Sequence, residues 1–374
     1  MDSDPFALTD LEIASGTIMG GHIATLPRTS MGARESLEAV ILEAMRDRRC
    51  VVSFSGGRDS STVLALATHV ARREGLPDPV PLTKRYPGVK EADETEWQEL
   101  VIGHLGLADW EVVEFTDELD LVGDVATGVL RRHGLLWPPN AYLHQPLFER
   151  CRGSVLMTGY DGDRLFDSWR YRAVVPSLGR RRPARKDVRI LASRFLPTAV
   201  AVHRTAKRTQ DNLWLTDEAL RDSAIAAVSD RREPLNWTRR MGWLAGRRQT
   251  RTVKHSLTVL GGAVDVRVLH PLVEPLALAG LACTGGHRGW PDRTTALRQL
   301  VGDLLPDALL ARRTKAVFGG AILGEATHDF ADAWSGTGVR LVDPEALRAE
   351  WLSPSPVFAA LTALHAAWLA DRAD

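Results

Sequence analysis

Ser53-Phe54-Ser55-Gly56-Gly57-Arg58-Asp59-Ser60-Ser61 is the stretch on which the fold of this chain turns. Residues 50–54 read as a short buried strand. From Asp59 or Ser60 onward, the spacing of Val63, Leu64, Leu66, Ala67, Val70 and Ala71 reads as a helix that stops near Gly75. Two glycines between strand and helix let the backbone turn tightly and approach an anion. The helix start offers unpaired N–H groups and the positive end of its dipole. Ser55, Ser60 and Ser61 add hydroxyl donors. Asp59 beside an anion calls for a cation between them, and Mg2+ is the natural choice. The GxxxxGK[ST] pattern of a Walker-A loop is absent. The bland alternative is a Gly-rich turn before a helix capped by Asp59 or Ser60.

Working outward, strands and helices alternate. Residues 36–45 read as a helix, 80–83 as a strand, 93–105 as a helix and 110–115 as a strand. Helices are expected over 119–133 and 141–150, and a strand over 154–158. This predicts an α/β fold: a parallel twisted sheet with helices on both faces and ligands at the carboxyl ends of its strands. Beyond residue 188 strand signals fade, and 190–204, 218–228, 296–304 and 358–370 read as helices. The expected organisation is an irregular segment over 1–34 and one domain over 35–374. That domain divides into an α/β part (35–170) and a mainly helical part (171–374).

Forty-seven basic and 47 acidic side chains cancel, so neither nucleic acid nor an anionic membrane is an expected partner. No apolar run reaches spanning length; the most apolar, 272–283, contains Glu274 and Pro275. The start, Met1-Asp2-Ser3-Asp4, lacks the basic segment of a secretory signal. The three cysteines show no metal spacing, which suits a reducing compartment, so a cytoplasmic location is expected. Cys50 and Cys151 flank apolar runs and are expected in the core. Glu91, Asp93, Glu94 and Glu96 read as a solvated helix start. The basic cluster Arg180, Arg181, Arg182, Arg185 and Lys186 reads as a solvated loop, with a grip on an acidic peptide or on phosphates as the functional alternative.

Strand-SxSGGxDSS-helix resembles the PP-loop ATP pyrophosphatases, and the form here looks most like the synthetase domain of the asparagine synthetase family. Arg58 departs from the leucine often found there. A second stretch, Met157-Thr158-Gly159-Tyr160-Asp161-Gly162-Asp163-Arg164-Leu165-Phe166, is similar to the family's SGxGxDxLF motif. The resemblance implies that Ser53, Ser55, Gly56, Gly57, Asp59, Ser60, Ser61 and Gly159 bind ATP. It also implies that Asp59 and Asp163 hold Mg2+. Asparagine synthetases have Glu at the position of Tyr160, whereas β-lactam synthetases have Tyr; the lasso-peptide cyclases belong to the same family. Tyr160 is thus a catalytic candidate as base toward an amine, although a phenol near pKa ~10 needs a partner for that. Asp161 stands where the family prefers Gly. Asp161 and Asp167 are weak substitutes for the missing partner.

Arg312-Arg313-Thr314-Lys315-Ala316-Val317-Phe318, after Leu304-Leu305-Pro306-Asp307, resembles a third motif, LP followed by RxKxxF. It marks Lys315 as catalytic, meeting charge on the α-phosphate. Gly319 and Gly320 would let this segment close over the site. Arg293 lies near a further family lysine and is a candidate ATP contact. Val266 to Glu274 resembles an RxPFLD-type segment only loosely. Glutamine-dependent members of the family carry a glutaminase domain whose nucleophilic cysteine directly follows the first methionine. Here Asp2 follows Met1 and about fifty residues precede the phosphate loop, so no glutaminase is expected.

The resemblance therefore implies an ATP- and Mg2+-using ligase that adenylates a carboxylate, releases pyrophosphate and lets an amine attack. The product would be a lactam, a macrolactam or a peptide amide. The implied partners are a small-molecule or peptide carboxylate and an amine, with a precursor peptide or an ammonia-supplying protein possible. Two alternatives stand: an amidating enzyme fed with ammonia, and a degenerate ATP-binding protein without turnover.

Overall fold

The computed structural model describes residues 4–172, 174–175, 184–206, 212–230, 233–314, 316 and 322–372. Five parallel strands form one sheet: β1 (Cys50–Ser53), β2 (Val80–Arg85), β3 (Glu111–Glu114), β4 (Val155–Thr158) and β5 (Arg267–Leu269). Their order is β3-β2-β1-β4-β5. The chain runs from β1 outward through β2 to β3, then crosses back to β4 on the other side of β1. The strand order thus reverses between β1 and β4, the place where such sheets open a crevice for ligands. The α/β expectation holds, with one addition: β5 comes from the part read as mainly helical. Three residues are too few to show a period.

Alternation along the strands decides which core each side chain joins. Cys50, Val52, Val155 and Met157 enter one core, while Val51 and Leu156 enter the other. Cys50 and Cys151 are buried, as their apolar neighbours implied. The first core is built with α2 (Ala33–Asp47) and α3 (Arg58–Glu74), and more distantly with α11 (Trp237–Ala245) and α13 (Pro275–Gly285). The second takes in α1 (Asp10–Ser15), α5 (Asp124–His133), α6 (Gln145–Arg150) and α12 (Arg248–Gly262). It also takes in α16 (Glu325–Ala333), α17 (Pro344–Trp351) and α18 (Leu361–Asp371). The remaining helices are α4 (Thr95–Leu105), α7 (Gly162–Phe166), α8 (Arg185–Ala192), α9 (Thr198–Ala206), α10 (Asp217–Asp230), α14 (Arg293–Val301) and α15 (Asp307–Ala311).

Several boundaries differ from the sequence expectation for local reasons. The segment 1–34 is not wholly irregular: Thr9 and Glu12 form a reciprocal cap that starts α1. The helix expected over 119–133 begins only at Asp124, because Asp120 accepts the Val122 N–H at 3.0 Å and holds a turn. The helix expected over 190–204 breaks at Leu196-Pro197, since proline disfavours a helical residue before it. No helix among the described residues is long and apolar enough to cross a membrane.

Helix α13 lies close against α2 because Gly280 faces Ser36. A Cβ at Gly280 would stand 2.1 Å from Ser36 Oγ and 2.7 Å from the Gly32 carbonyl oxygen. Gly280→Ala is therefore expected to destabilise the protein by about 1–3 kcal/mol through overpacking. Urea unfolding measures this, and an unchanged midpoint would mean that the two helices separate freely.

Candidate active site

Strand β1 ends where the chain turns on Gly56, whose φ of +79° is open to glycine without strain. A Cβ there would also press to 2.9 Å from Gln98 Cγ. The loop ties itself together. Ser60 Oγ donates to the Gly57 carbonyl at 3.1 Å, the Ser55 N–H donates to Ser60 Oγ at 3.2 Å, and the Gly57 N–H donates to Ser55 Oγ at 3.3 Å. Helix α3 follows at once and is capped at its far end by Gly75 in the left-handed conformation. Ser53, Ser55, Gly57, Asp59 and Ser60 line a cavity of about 600 Å3. Ser61 differs from its sequence assignment: it is fully buried, lines neither cavity described here, and its hydroxyl has no hydrogen-bond partner.

The loop after β4 closes on this one through two glycines. A Cβ on Gly159 would come within 2.5 Å of the Ser60 nitrogen, and one on Gly162 within 2.3 Å of Asp59 Cγ. Asp59 and Asp163 consequently face the same cavity. Burial pushes the Asp59 carboxyl up from its ordinary range, Arg293 pulls it down, and the Asp163 carboxylate pushes it up again. Among the described residues no three His, Cys, Asp or Glu side chains gather around one point. A cation held here therefore takes its other oxygens from a ligand, and two carboxylates with phosphate oxygens is a normal Mg2+ set. The residues fit that ion.

Asp161, the departure from the family's glycine, has a φ of +67°, a conformation that Asp tolerates better than most residues. It is buried, accepts from Thr250 Oγ1 at 3.2 Å and pairs with Arg164 at 3.3 Å. Tyr160 lines the cavity and sets its ring edge-on to His270, 5.3 Å between centroids. Burial first, and the Asp161 carboxylate second, push its phenol well above its ordinary value. Tyr160 therefore stays protonated at neutral pH.

Arginines from distant parts of the chain complete the site. Arg293, at the start of α14, is ion-paired with Asp59 and reaches Asp167 at 3.1 Å. Asp167 also receives Arg172 at 2.5 Å and lies 3.7 Å from Arg58. Glu94, read in the sequence as solvated, is buried and holds Arg312 by both guanidinium nitrogens. Arg312 also stacks on Trp97, 4.7 Å from its ring centroid. This pair brings Arg313, Thr314 and Ala316 to the cavity wall. Lys315, Phe318, Gly319 and Gly320 lie outside the described residues.

A second cavity, of about 530 Å3, shares Ser53, Ser55, Glu94 and His144 with the first. Leu82, Tyr86, Leu143, Ile322 and Phe358 make its walls largely apolar. Two basic side chains here escaped the sequence reading. Lys84, near the end of β2, is half-buried on the cavity wall and donates to the Leu143 carbonyl at 3.3 Å; burial lowers its pKa to about 8. Burial also holds the His144 imidazole well below its ordinary value, and its Nδ1 has no partner. Their only sequence signal was a charge closing an otherwise apolar strand and a lone histidine.

The family model described as Asparagine synthase matches residues 33–267, more than half of the chain. No curated protein matches it. The matched span carries both glycine loops, while Arg293 and Arg312 lie beyond it.

Lys84 makes stability depend on pH. Its folded pKa of about 8 lies below the ordinary 10.5, so the unfolded chain binds more protons between those values. Below pH 8 the folded state bears the cost of a partly desolvated charge; above 10.5 it does not. Lys84→Met is expected to stabilise the protein at pH 7 by about 1–3 kcal/mol, the gain fading as pH rises through that window. Denaturation series at pH 7, 8.5 and 10 test this, and a gain independent of pH would count against it.

Proposed function

The chain belongs to the asparagine synthase family, whose members are ATP-dependent amide-forming ligases, and from that premise we propose that it activates a carboxylate by adenylation and passes the acyl group to an amine. The observation that carries this reading is the meeting of Asp59 and Asp163 across Gly162, beside the glycine turn that opens α3. In this reading the triphosphate lies along residues 55–60, with the β- and γ-phosphates at the start of α3. The apolar cavity beside it suits the nucleoside. Asp59 and Asp163 would hold Mg2+, which would draw charge off the leaving pyrophosphate. Arg293, paired with Asp59 in the structure, would be placed to meet phosphate oxygens.

A carboxylate oxygen of the acid attacks the α-phosphorus, and the bond from that phosphorus to the bridging oxygen breaks. Pyrophosphate leaves and an acyl-adenylate remains. A neutral amine then attacks the acyl carbon, AMP departs, and the amine's proton passes to solvent or to the AMP phosphate. Tyr160, kept protonated, donates a hydrogen bond to the oxygen that becomes negative in that step. Lys315, assigned from the sequence motif alone, would meet the charge on the α-phosphate. Tyr160 supports an amine carried by the substrate, giving a lactam, macrolactam or peptide amide, over ammonia.

The test follows pyrophosphate exchange into ATP with N-acetyl-aspartate, N-acetyl-glutamate and a pool of acidic peptides as probes, alongside titration with α,β-methylene-ATP and Mg2+. Asp59→Asn and Asp163→Asn are expected to lower exchange at least about 100-fold. Gly162→Ala should do the same by displacing Asp59. Release of ADP, or tight nucleotide binding with no exchange for any acid, would overturn the proposal. A rate that rises with ammonium would favour the ammonia-fed alternative.

A further inference from the structure

Helices α8, α9 and α10 and the turn after α7 enclose a third depression, of about 400 Å3. It shares no residue with either cavity of the active site. Among the described residues Arg170, Lys186, Arg189, Arg194 and Arg204 line it, and no carboxylate does. In a chain whose charges cancel overall, five cations with no acid among the described lining residues are a local excess. Arg170 donates to Ser193 Oγ at 2.5 Å and Arg194 to the Glu233 carbonyl at 2.6 Å. Lys186, Arg189 and Arg204 have no ion-pair partner among the described residues. The nearby acids are turned inward. Asp187 accepts the Ala184 N–H at 2.9 Å and Glu233 pairs with Arg240 at 2.6 Å.

The depression is also apolar. Ile190, Leu196 and Val228 stand among its cations. Beside it Phe195 is 78% exposed and Val188 54%. Helices α8 and α9 bury only Asp187 and Thr205 fully; Ile190 and Leu191 rest half-buried against the first core, while Val188 and Val200 stay exposed. Such amphipathic helices are stable in water chiefly when something covers them.

We propose that this groove docks an acidic peptide segment whose carboxylates meet the five cations and whose apolar side chains cover Ile190, Leu196 and Phe195. A free phosphate would use the charges and leave the apolar surface wet. A nucleic acid would want aromatic side chains to stack its bases, and none lines the groove among the described residues. The groove is joined to the reaction site. Arg240 is fully buried, donates to the Leu165 and Arg164 carbonyls at 2.7 and 2.8 Å, and pairs with Glu233, which accepts the Arg170 N–H at 3.1 Å. A docked peptide is thereby seated against the frame of α7, the helix that carries Asp163. This docking does not depend on the adenylation reading.

The experiment is fluorescence anisotropy of the full chain, without nucleotide, with a labelled peptide of alternating glutamate and leucine. The peptide is expected to bind, more weakly at high salt because the contacts are exposed. Arg189→Glu combined with Arg204→Glu should weaken binding at least about tenfold. The milder pair Arg189→Gln and Arg204→Gln should weaken it less, and circular dichroism confirms that both fold. A lysine-leucine peptide should not bind. Binding untouched by either pair, full displacement by inorganic phosphate, or tighter binding of a single-stranded oligonucleotide overturns the proposal. Loss of docking with pyrophosphate exchange intact removes the groove and leaves the ligase; the converse removes the ligase and leaves the groove.

Discussion

The Asp59 carboxylate occupies the space that any side chain on Gly162 would need, since a Cβ there would come within 2.3 Å of Asp59 Cγ. Neighbouring strands of a sheet lie only ~4.8 Å apart, so loops leaving the same ends of β1 and β4 are forced together. They pass because Gly159 and Gly162 have no side chain to offer at the two contacts. The result is a fixed electrostatic problem. Two carboxylates share one cavity wall, Asp59 is stripped of much of its water, and Asp163 raises its cost of ionisation further. Only a cation resolves this, and the geometry leaves its remaining coordination to a ligand.

In the structure Arg293 answers that demand from α14, far along the chain, and Asp167 shares its guanidinium. Arg312 acts differently. Its pair with Glu94 is buried on both sides, and such pairs add little stability against an apolar replacement. Their effect is positional: a forked guanidinium against a carboxylate has one good geometry, with Trp97 beneath it. The pair holds the segment before Lys315 against the end of the phosphate loop, where Arg312 lies 3.5 Å from the Gly56 carbonyl. The C-terminal half thus reaches the site through charge, while it is attached to the sheet through apolar packing such as α13 on α2.

Much of this arrangement was legible because local rules produce it. Strand, glycine turn and helix in 50–74 follow from alternation, a left-handed glycine and a first-turn acid, all within a few residues. The parallel sheet follows from strands separated by helices. What was not legible depends on partners remote in sequence. Glu94 reads as a solvated acid until Arg312 is known to face it. Lys84 reads as a strand's polar end until Leu143 and His144 close over it. Strand β5 has three residues, and only the edge of β4 makes them a strand. Ser61, assigned with its neighbours from the motif, turns inward because α3 rotates it there, a period of 3.6 residues carrying it off the face shared by Asp59.

Tyr160 and Asp161 show how one departure alters the chemistry open to a site. With Asp in place of glycine, the left-handed turn survives, but a buried carboxylate now stands next to the phenol. That carboxylate is occupied by Thr250 and Arg164, so it adds negative potential while its own lone pairs are engaged. A phenol in such surroundings gives up its proton less readily than in water. It suits a donor to developing negative charge, and it is poorly suited to taking a proton from an amine. The neutral imidazole of His270 at its edge, pushed by burial to a pKa of about 3, carries no positive charge that would reverse this. Under the proposed acyl transfer the balance of catalysis would move toward the leaving group: the more completely the cations disperse charge on phosphate, the less the amine would need a base beside it.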